Sequence, residues 1–243
     1  MKIIKLDAIN STNSFLKELS QNTSINTFTV VQANYQTSGR GQMGSQWVSE
    51  PNKNLLCSVF VRFNGLPVSH QVLINYAVSL AIFTTLQRYK LPEVAIKWPN
   101  DILSSHKKVC GILVENVIHK DKISSSIIGI GLNVNQLLFP KGLNAVTSMQ
   151  KVLGKEINID VLLQDLLSDL KKTIAYITDA STNVLKKNYL QYLYKKNIPT
   201  MFKNSSDVLF MGKIVGVSTQ GKLQIALEDD TINEFAIKEV SFA

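Results

Sequence analysis

The chain has 243 residues, 45% of them apolar and 18% charged, and 26 basic against 18 acidic side chains give a net charge of +8. That length suits one main core with a small appended module, and the composition excludes a disordered chain. No apolar run is long enough to cross a bilayer, since the stretch 73–86 is broken by Asn75, Ser79 and Thr84. The opening residues reach Asp7 too soon for a secretory leader. With Cys57 and Cys110 the only cysteines, neither a disulfide framework nor a thiolate cluster is expected, and the cytoplasm is the expected compartment. The lysines are dispersed in short pairs such as Lys107-Lys108 and Lys195-Lys196, which reads as a solvated surface rather than a DNA-binding face.

Ser11-Thr12-Asn13-Ser14 supplies helix N-cap residues ahead of Phe15, Leu16 and Leu19. Residues 28–31 are β-branched and aromatic and predict a strand. A glycine-rich loop follows over 39–44, then a largely buried strand over 55–63. The stretch 70–89 is apolar nearly all round and predicts a central helix. Further strands are expected at 94–96, 109–118 and 127–134, and helices at 159–177 and 184–194. After Pro199 the texture changes to short strand-like runs at 213–218, 222–227 and 232–237. They are separated by Thr219-Gln220-Gly221 and Glu228-Asp229-Asp230. Such a segment predicts a small barrel, with a boundary near Asn197.

Gly39-Arg40-Gly41-Gln42-Met43-Gly44 spells the dinucleotide fingerprint, but its context fails. A helix should follow, with an acidic residue about 20 positions on to hold a ribose. Here the chain continues to Pro51 in poor helix material, and no Asp or Glu occurs between Glu50 and Glu93. A P-loop fails too, because Ser45-Gln46 stands where its lysine belongs. An ordinary surface loop could carry the same letters. The chemical reading that survives is close approach of glycine N–H groups to an anion, neutralised by Arg40.

Three other segments bear on a site. In Lys97-Trp98-Pro99-Asn100-Asp101, Pro99 stops a strand and leaves Asn100 and Asp101 at its end; a plain turn is the alternative. Lys108 enters a strand just before Gly111, whose missing side chain leaves room for a ligand, unless it marks only a bulge. Gly129 and Gly131 lie within an apolar strand that ends at Asn133, which again implies close approach. His70, His106 and His119 are isolated, so no protein-bound zinc is expected.

Taken in order, Ser11-Thr12-Asn13, Tyr35 to Gly41 with Trp47, Lys97 to Asp101, Lys108 with Gly111 to Glu115, and Gly129-x-Gly131-x-Asn133 resemble the biotin–protein ligase family. The resemblance implies an α+β fold. A class II aminoacyl-tRNA synthetase-like catalytic domain over 1–197, a mixed sheet with flanking helices, would precede an SH3-like β-barrel over 198–243. It implies formation of biotinyl-5′-AMP from biotin and ATP with Mg2+, then transfer to a lysine of a biotin carboxyl carrier protein. Ser11, Thr12, Asn13, Gln36, Gly39, Arg40, Gly41, Gln42, Trp47, Lys108 and Gly111 would then bind biotin. Arg40, Lys97, Asn100, Gly129, Gly131 and Asn133 would face the nucleotide, and Phe139 is a candidate to stack on adenine. Arg40, Lys108 and Asp101 would be catalytic, with Asp101 orienting Lys108 or the incoming amine. A homodimer is compatible with the resemblance.

Two departures stand out. Members of the family often carry a basic residue after Gly-Arg-Gly, where this chain has Gln42, so weaker retention of the adenylate is expected. The resembling segments begin at Ser11, which leaves no room ahead of them for the DNA-binding module of some relatives, so no operator binding is expected. The rivals are a lipoate–protein ligase of the same fold and a non-catalytic nucleic-acid regulator.

Overall fold

The computed structural model describes residues 1–143, 145–178 and 182–243. Its first sheet contains β1 (Ile3–Ile9), β2 (Thr29–Gln36), β3 (Asn54–Pro67), β4 (Ala95–Lys97), β5 (Asp101–Ser104), β6 (Lys107–His119) and β7 (Lys122–Asn133), in the spatial order β1-β2-β3-β7-β6-β5-β4. Only β1 and β2 run parallel, joined through the helix α1 (Thr12–Asn22); the other neighbours are antiparallel. The sheet is therefore mixed, as expected.

β3 is buried continuously from Asn54 to Val61, because both of its faces are covered. On one face lie α2 (Gln71–Arg88), α4 (Ile159–Thr178) and α5 (Thr182–Gln191), which share a core with Ile74, Val78, Ile82, Leu162, Leu166 and Leu170. α2 is the central apolar helix foreseen from its sequence. On the other face Leu16 of α1 closes on Val31, Phe60 and Ile127. Removing the fully buried Leu16 side chain would cost about 2–5 kcal/mol and unseat the start of α1. A short α3 (Met149–Leu153) completes this part.

The second sheet is antiparallel and comprises β8 (Pro199–Asn204), β9 (Leu209–Val217), β10 (Leu223–Ala226), β11 (Ile232–Phe235) and β12 (Val240–Phe242), in the order β11-β10-β9-β8-β12. Phe202, Ile214, Val217, Leu223 and Ile225 join the main apolar cluster, so the second sheet is packed onto the first part. At the foreseen boundary, Asn197 N–H donates to Ile214 O at 2.8 Å.

Two elements differ from expectation for local reasons. α5 stops at Gln191 because the chain turns to pair with β4: Ile96 N–H donates to Tyr192 O, and Tyr194 N–H to Ile96 O. Asn100-Asp101 is more than a strand end, since Trp98, Pro99 and Asn100 form the turn of a β4–β5 hairpin in which Lys97 pairs with Asp101. Among the described residues no helix is long and apolar enough to cross a membrane.

Candidate active site

Directly opposed residues of neighbouring strands share a face of the sheet. On the α1 face, one row runs Lys97, Asp101, Gly111, Gly131 and Leu56, across β4, β5, β6, β7 and β3. The next row runs Leu113, Gly129, Ser58 and Val31. Over these rows opens a cavity of about 470 Å3, and its two ends differ in chemistry.

The first end is neutral and hydrogen-bonded. Ser11 caps α1, which places Thr12 and Asn13 in its first turn, nearly without solvent exposure. Gln36 Oε1 accepts from Thr12 N–H at 2.8 Å and from Thr12 Oγ1 at 3.1 Å. Fully buried Ser58 Oγ lies 2.7 Å from Thr12 Oγ1 and 2.5 Å from Asn13 Oδ1. Those three oxygen–oxygen contacts share two hydroxyl protons, so the cluster retains capacity to accept a donor from a ligand. A side chain at Gly129 would collide with Asn13 Oδ1, which is why glycine stands there. Gly129 thus sits beneath Asn13 at the neutral end. Cys57 also borders the cavity; burial pushes its thiol up to about 12, so it stays neutral and unreactive at physiological pH.

The second end is charged. Arg40 Nη2 donates to Glu115 Oε2 at 2.6 Å, and the same oxygen accepts from Asn13 Nδ2 at 2.8 Å, which joins the two ends. Lys108 Nζ lies 2.7 Å from Asp101 Oδ1 and forms an ion pair with it. Lys108 Nζ is also 5.5 Å from the Trp47 ring centre. The Trp47 indole lies over the paired glycines: an added Cβ would come within 2.9 Å of it at Gly111 and 2.6 Å at Gly131. What these glycines admit closely is therefore Trp47.

The 39–44 loop folds back on itself. Trp47 N–H donates to Gly39 O at 2.9 Å, and Gly41 N–H donates to Ser45 O at 2.7 Å. A side chain at Gly41 would strike Ser45 Oγ, and one at Gly39 would strike Trp47 O. The Gly41 N–H is thus used inside the loop, and Gly39 and Gly41 serve the close approach of its two arms. Gln42 Oε1 and Trp47 Nε1 are buried and unpaired, so they are the loop's groups left for a ligand.

The second sheet closes the cavity. Ile237, Lys238, Val240, Ser241 and Phe242 line it, Trp98 Nε1 donates to Gly221 O at 3.0 Å, and Lys97 Nζ sits 5.0 Å above the Phe242 ring. Of the residues singled out in the sequence, Ser11, Thr12, Asn13, Gln36, Arg40, Gly41, Gln42, Trp47, Lys97, Asn100, Asp101, Lys108, Gly111, Gly129 and Gly131 are brought together here. Asn100 also fastens its hairpin, with Nδ2 donating to Ile112 O at 2.8 Å. Gly39, Asn133 and Phe139 do not line the cavity. Asn133 is buried, with Nδ2 donating to Thr147 O at 3.0 Å, and Phe139 stacks under Lys151. Sequence reasoning missed Lys238, which lines the cavity, and Ser58 and Glu115, which do not line it but fasten Thr12, Asn13 and Arg40. Ser58 carried one signal, a hydroxyl within an otherwise apolar buried strand, and Glu115 stood at the end of a segment that bears the resemblance, whereas Lys238 carried none. Among the described residues no three His, Cys, Asp or Glu side chains converge as for a metal.

One cavity of an α+β fold thus joins a neutral, hydrogen-bonded end to an end with two ion-paired cations. The sequence profile of the biotin/lipoate A/B protein ligase family matches residues 6–133, and the chain belongs to that family. It is 31% identical over 232 residues to the bifunctional ligase/repressor BirA of Bacillus spizizenii, covering 93% of this chain and 70% of that protein. It is 34% identical over 110 residues to the biotin–[acetyl-CoA-carboxylase] ligase of Mycobacterium tuberculosis, covering 44% of this chain and 40% of that one. Among solved structures, a biotin protein ligase from Aquifex aeolicus in complex with biotin and ATP superposes with a TM-score of 0.80 and 26% identity, covering all of this chain and 98% of that one.

Proposed function

We propose that this chain is an ATP-dependent biotin–protein ligase, forming biotinyl-5′-AMP and passing biotin to a lysine of a biotin carboxyl carrier protein in the cytoplasm. The observation that carries the reading is the two-ended cavity: a hydroxyl and amide cluster short of donors, joined to two cations. The ureido ring of biotin brings the missing N–H donors to Thr12, Asn13 and Gln36, with Ser11 beside them and Ser58 fastening Thr12 and Asn13 from beneath. Gln42, Gly41 and Trp47 close over it from the loop, and Gly39 holds that loop to Trp47. The relatives named above support the same substrate pair.

Activation brings a carboxylate and a phosphate together, so positive charge is the main requirement. Arg40 and Lys108 would meet both anions, while Lys97 and Asn100, which line the same cavity, would face the nucleotide. A biotin carboxylate oxygen attacks the α-phosphorus, the bond to the β-phosphate breaks, and pyrophosphate leaves. A carrier amine then attacks the acyl carbon and AMP departs. Asp101, paired with Lys108, is the carboxylate placed to hold that lysine and to take the amine's proton. Mg2+ travels with the nucleotide and supplies charge neutralisation there.

Residues 1–197 are read as the class II synthetase-like catalytic domain and 198–243 as the SH3-like module. A lipoate ligase is the weaker reading, because a dithiolane offers no donors to the Thr12–Ser58 cluster and would leave it unpaired. The deciding experiment is pyrophosphate release from ATP with biotin, with lipoate or with neither. Release that depends on biotin is expected, and release without that dependence overturns the reading.

A further inference from the structure

We propose that Lys238, on the turn leading into β12, binds the β- and γ-phosphates of the nucleotide, so that the second sheet supplies charge the first lacks. The inference rests on the ligase reading above. The cations of the charged end are already matched: Arg40 with Glu115 and Lys108 with Asp101. A triphosphate needs counter-charge beyond such neutral pairs. Two lysines lining the cavity have no carboxylate partner among the described residues, Lys97 and Lys238. Both depend on the same short segment, since Lys97 lies over Phe242 of β12.

Lys238 is held in position. Its Nζ donates to Met43 O at 2.9 Å, reaching from the second sheet to the glycine loop. Lys238 and Met43 both have left-handed backbones, at φ 70° and 52°, a conformation that side-chain-bearing residues keep only where the surroundings impose it. The neighbouring Glu239 does not compete for the lysine, because its Oε2 accepts from Ala236 N–H at 2.7 Å within its own turn. A neutral carbonyl is a weaker partner for an ammonium than a phosphate oxygen, so Lys238 is free to exchange Met43 O for the ligand.

The two half-reactions separate a phosphate ligand from a loop fastener, because biotinyl-5′-AMP has lost the β- and γ-phosphates. Lys238→Gln keeps a donor for Met43 O and removes the charge. It should raise the KM for ATP about tenfold or more, the usual consequence of losing one charge-assisted bond, and leave biotin affinity within about twofold. Transfer from preformed biotinyl-5′-AMP to the carrier should keep the wild-type rate, and Lys238→Arg should restore most ATP affinity. An unchanged KM for ATP overturns the proposal. So does an equal loss in biotin affinity and in transfer, which makes Lys238 a loop fastener only. Direct titration of wild type and Lys238→Gln with ATP alone keeps the question separate from the ligase reading. Wild-type protein that releases no pyrophosphate with biotin refutes that reading, whereas equal ATP affinities refute the role of Lys238.

Discussion

The two ends of the cavity are built from different materials. The neutral end stands on regular structure: the half-buried end of β2 with the deeply buried start of α1 and the middle of β3 and β7. The charged end is assembled from the 39–44 loop, the β4–β5 turn, the start of β6 and a segment of the second sheet, and its Arg40 side chain is 43% exposed. Neutral recognition needs donors and acceptors fixed to within a few tenths of an ångström, which a rigid scaffold supplies. Charge stabilisation acts over longer distances and must let a bulky leaving group depart, which suits loops. Glu115 Oε2, shared by Asn13 and Arg40, is an atom through which the ends communicate directly.

If the ends are functionally distinct, substitutions should separate binding from chemistry. The largest effect is expected for Lys108→Ala, with adenylation slowed about 10²- to 10³-fold and biotin affinity reduced far less, as read by pyrophosphate release and biotin titration. A matching loss of biotin affinity would break the distinction. Ser58→Val should do the reverse, weakening biotin about tenfold with kcat retained. It also leaves Asn13 Oδ1 short of a donor, at a cost of about 1–3 kcal/mol in unfolding free energy by denaturant titration. Glu115→Gln keeps an acceptor for both neighbours but removes the charge, so a fewfold loss should fall on both constants together. A double-mutant cycle with Asn13→Ala and Arg40→Ala would measure the coupling. Smaller still, Gln42→Arg should slow dissociation of biotinyl-5′-AMP by adding charge to the loop; an unchanged dissociation rate would remove Gln42 from the account.

The same contrast governs what could be read from the amino acids. Ser11 to Asn13 were legible because an N-cap signature lies within a few neighbouring residues, and α2, α4 and β7 because periodicity is local. β1, β5, α3, β8 and β12 were not foreseen. β5 and β12 are only 4 and 3 residues long and exist through pairing with neighbours. β1, although 7 residues long, lies at the sheet edge and shows no clean alternation. Lys108 and Asp101 could be nominated by type, yet their pairing follows from the β5–β6 register. Lys238 lies 195 positions from the carbonyl it meets, and no local pattern encodes that contact. The glycines mislead for the same reason: their fingerprint is local, but their partners, Trp47 and Asn13, are set by the fold.

The smallest expected effect is the absence of one. Among the neutral-end residues Thr12, Asn13, Gln36, Ser58 and the adjoining Cys57, only the thiol titrates, and burial pushes it up to about 12 from an ordinary 9.0. Below pH 9 that end therefore changes neither charge nor donor pattern, and biotin affinity should be flat from about pH 6 to pH 9, within twofold by direct titration. The folded-state value is the raised one, so the neutral thiol's contribution to stability is complete below about pH 9. It is lost as pH climbs from there toward 12, where the unfolded chain ionises first. Alkylation of Cys57 by a thiol reagent at pH 8 should accordingly be far slower in the folded protein than after denaturation. A biotin affinity that titrates between pH 6 and 9 would show that the charged end governs ring binding through Glu115, and the division between the two ends would then be one of place rather than of function.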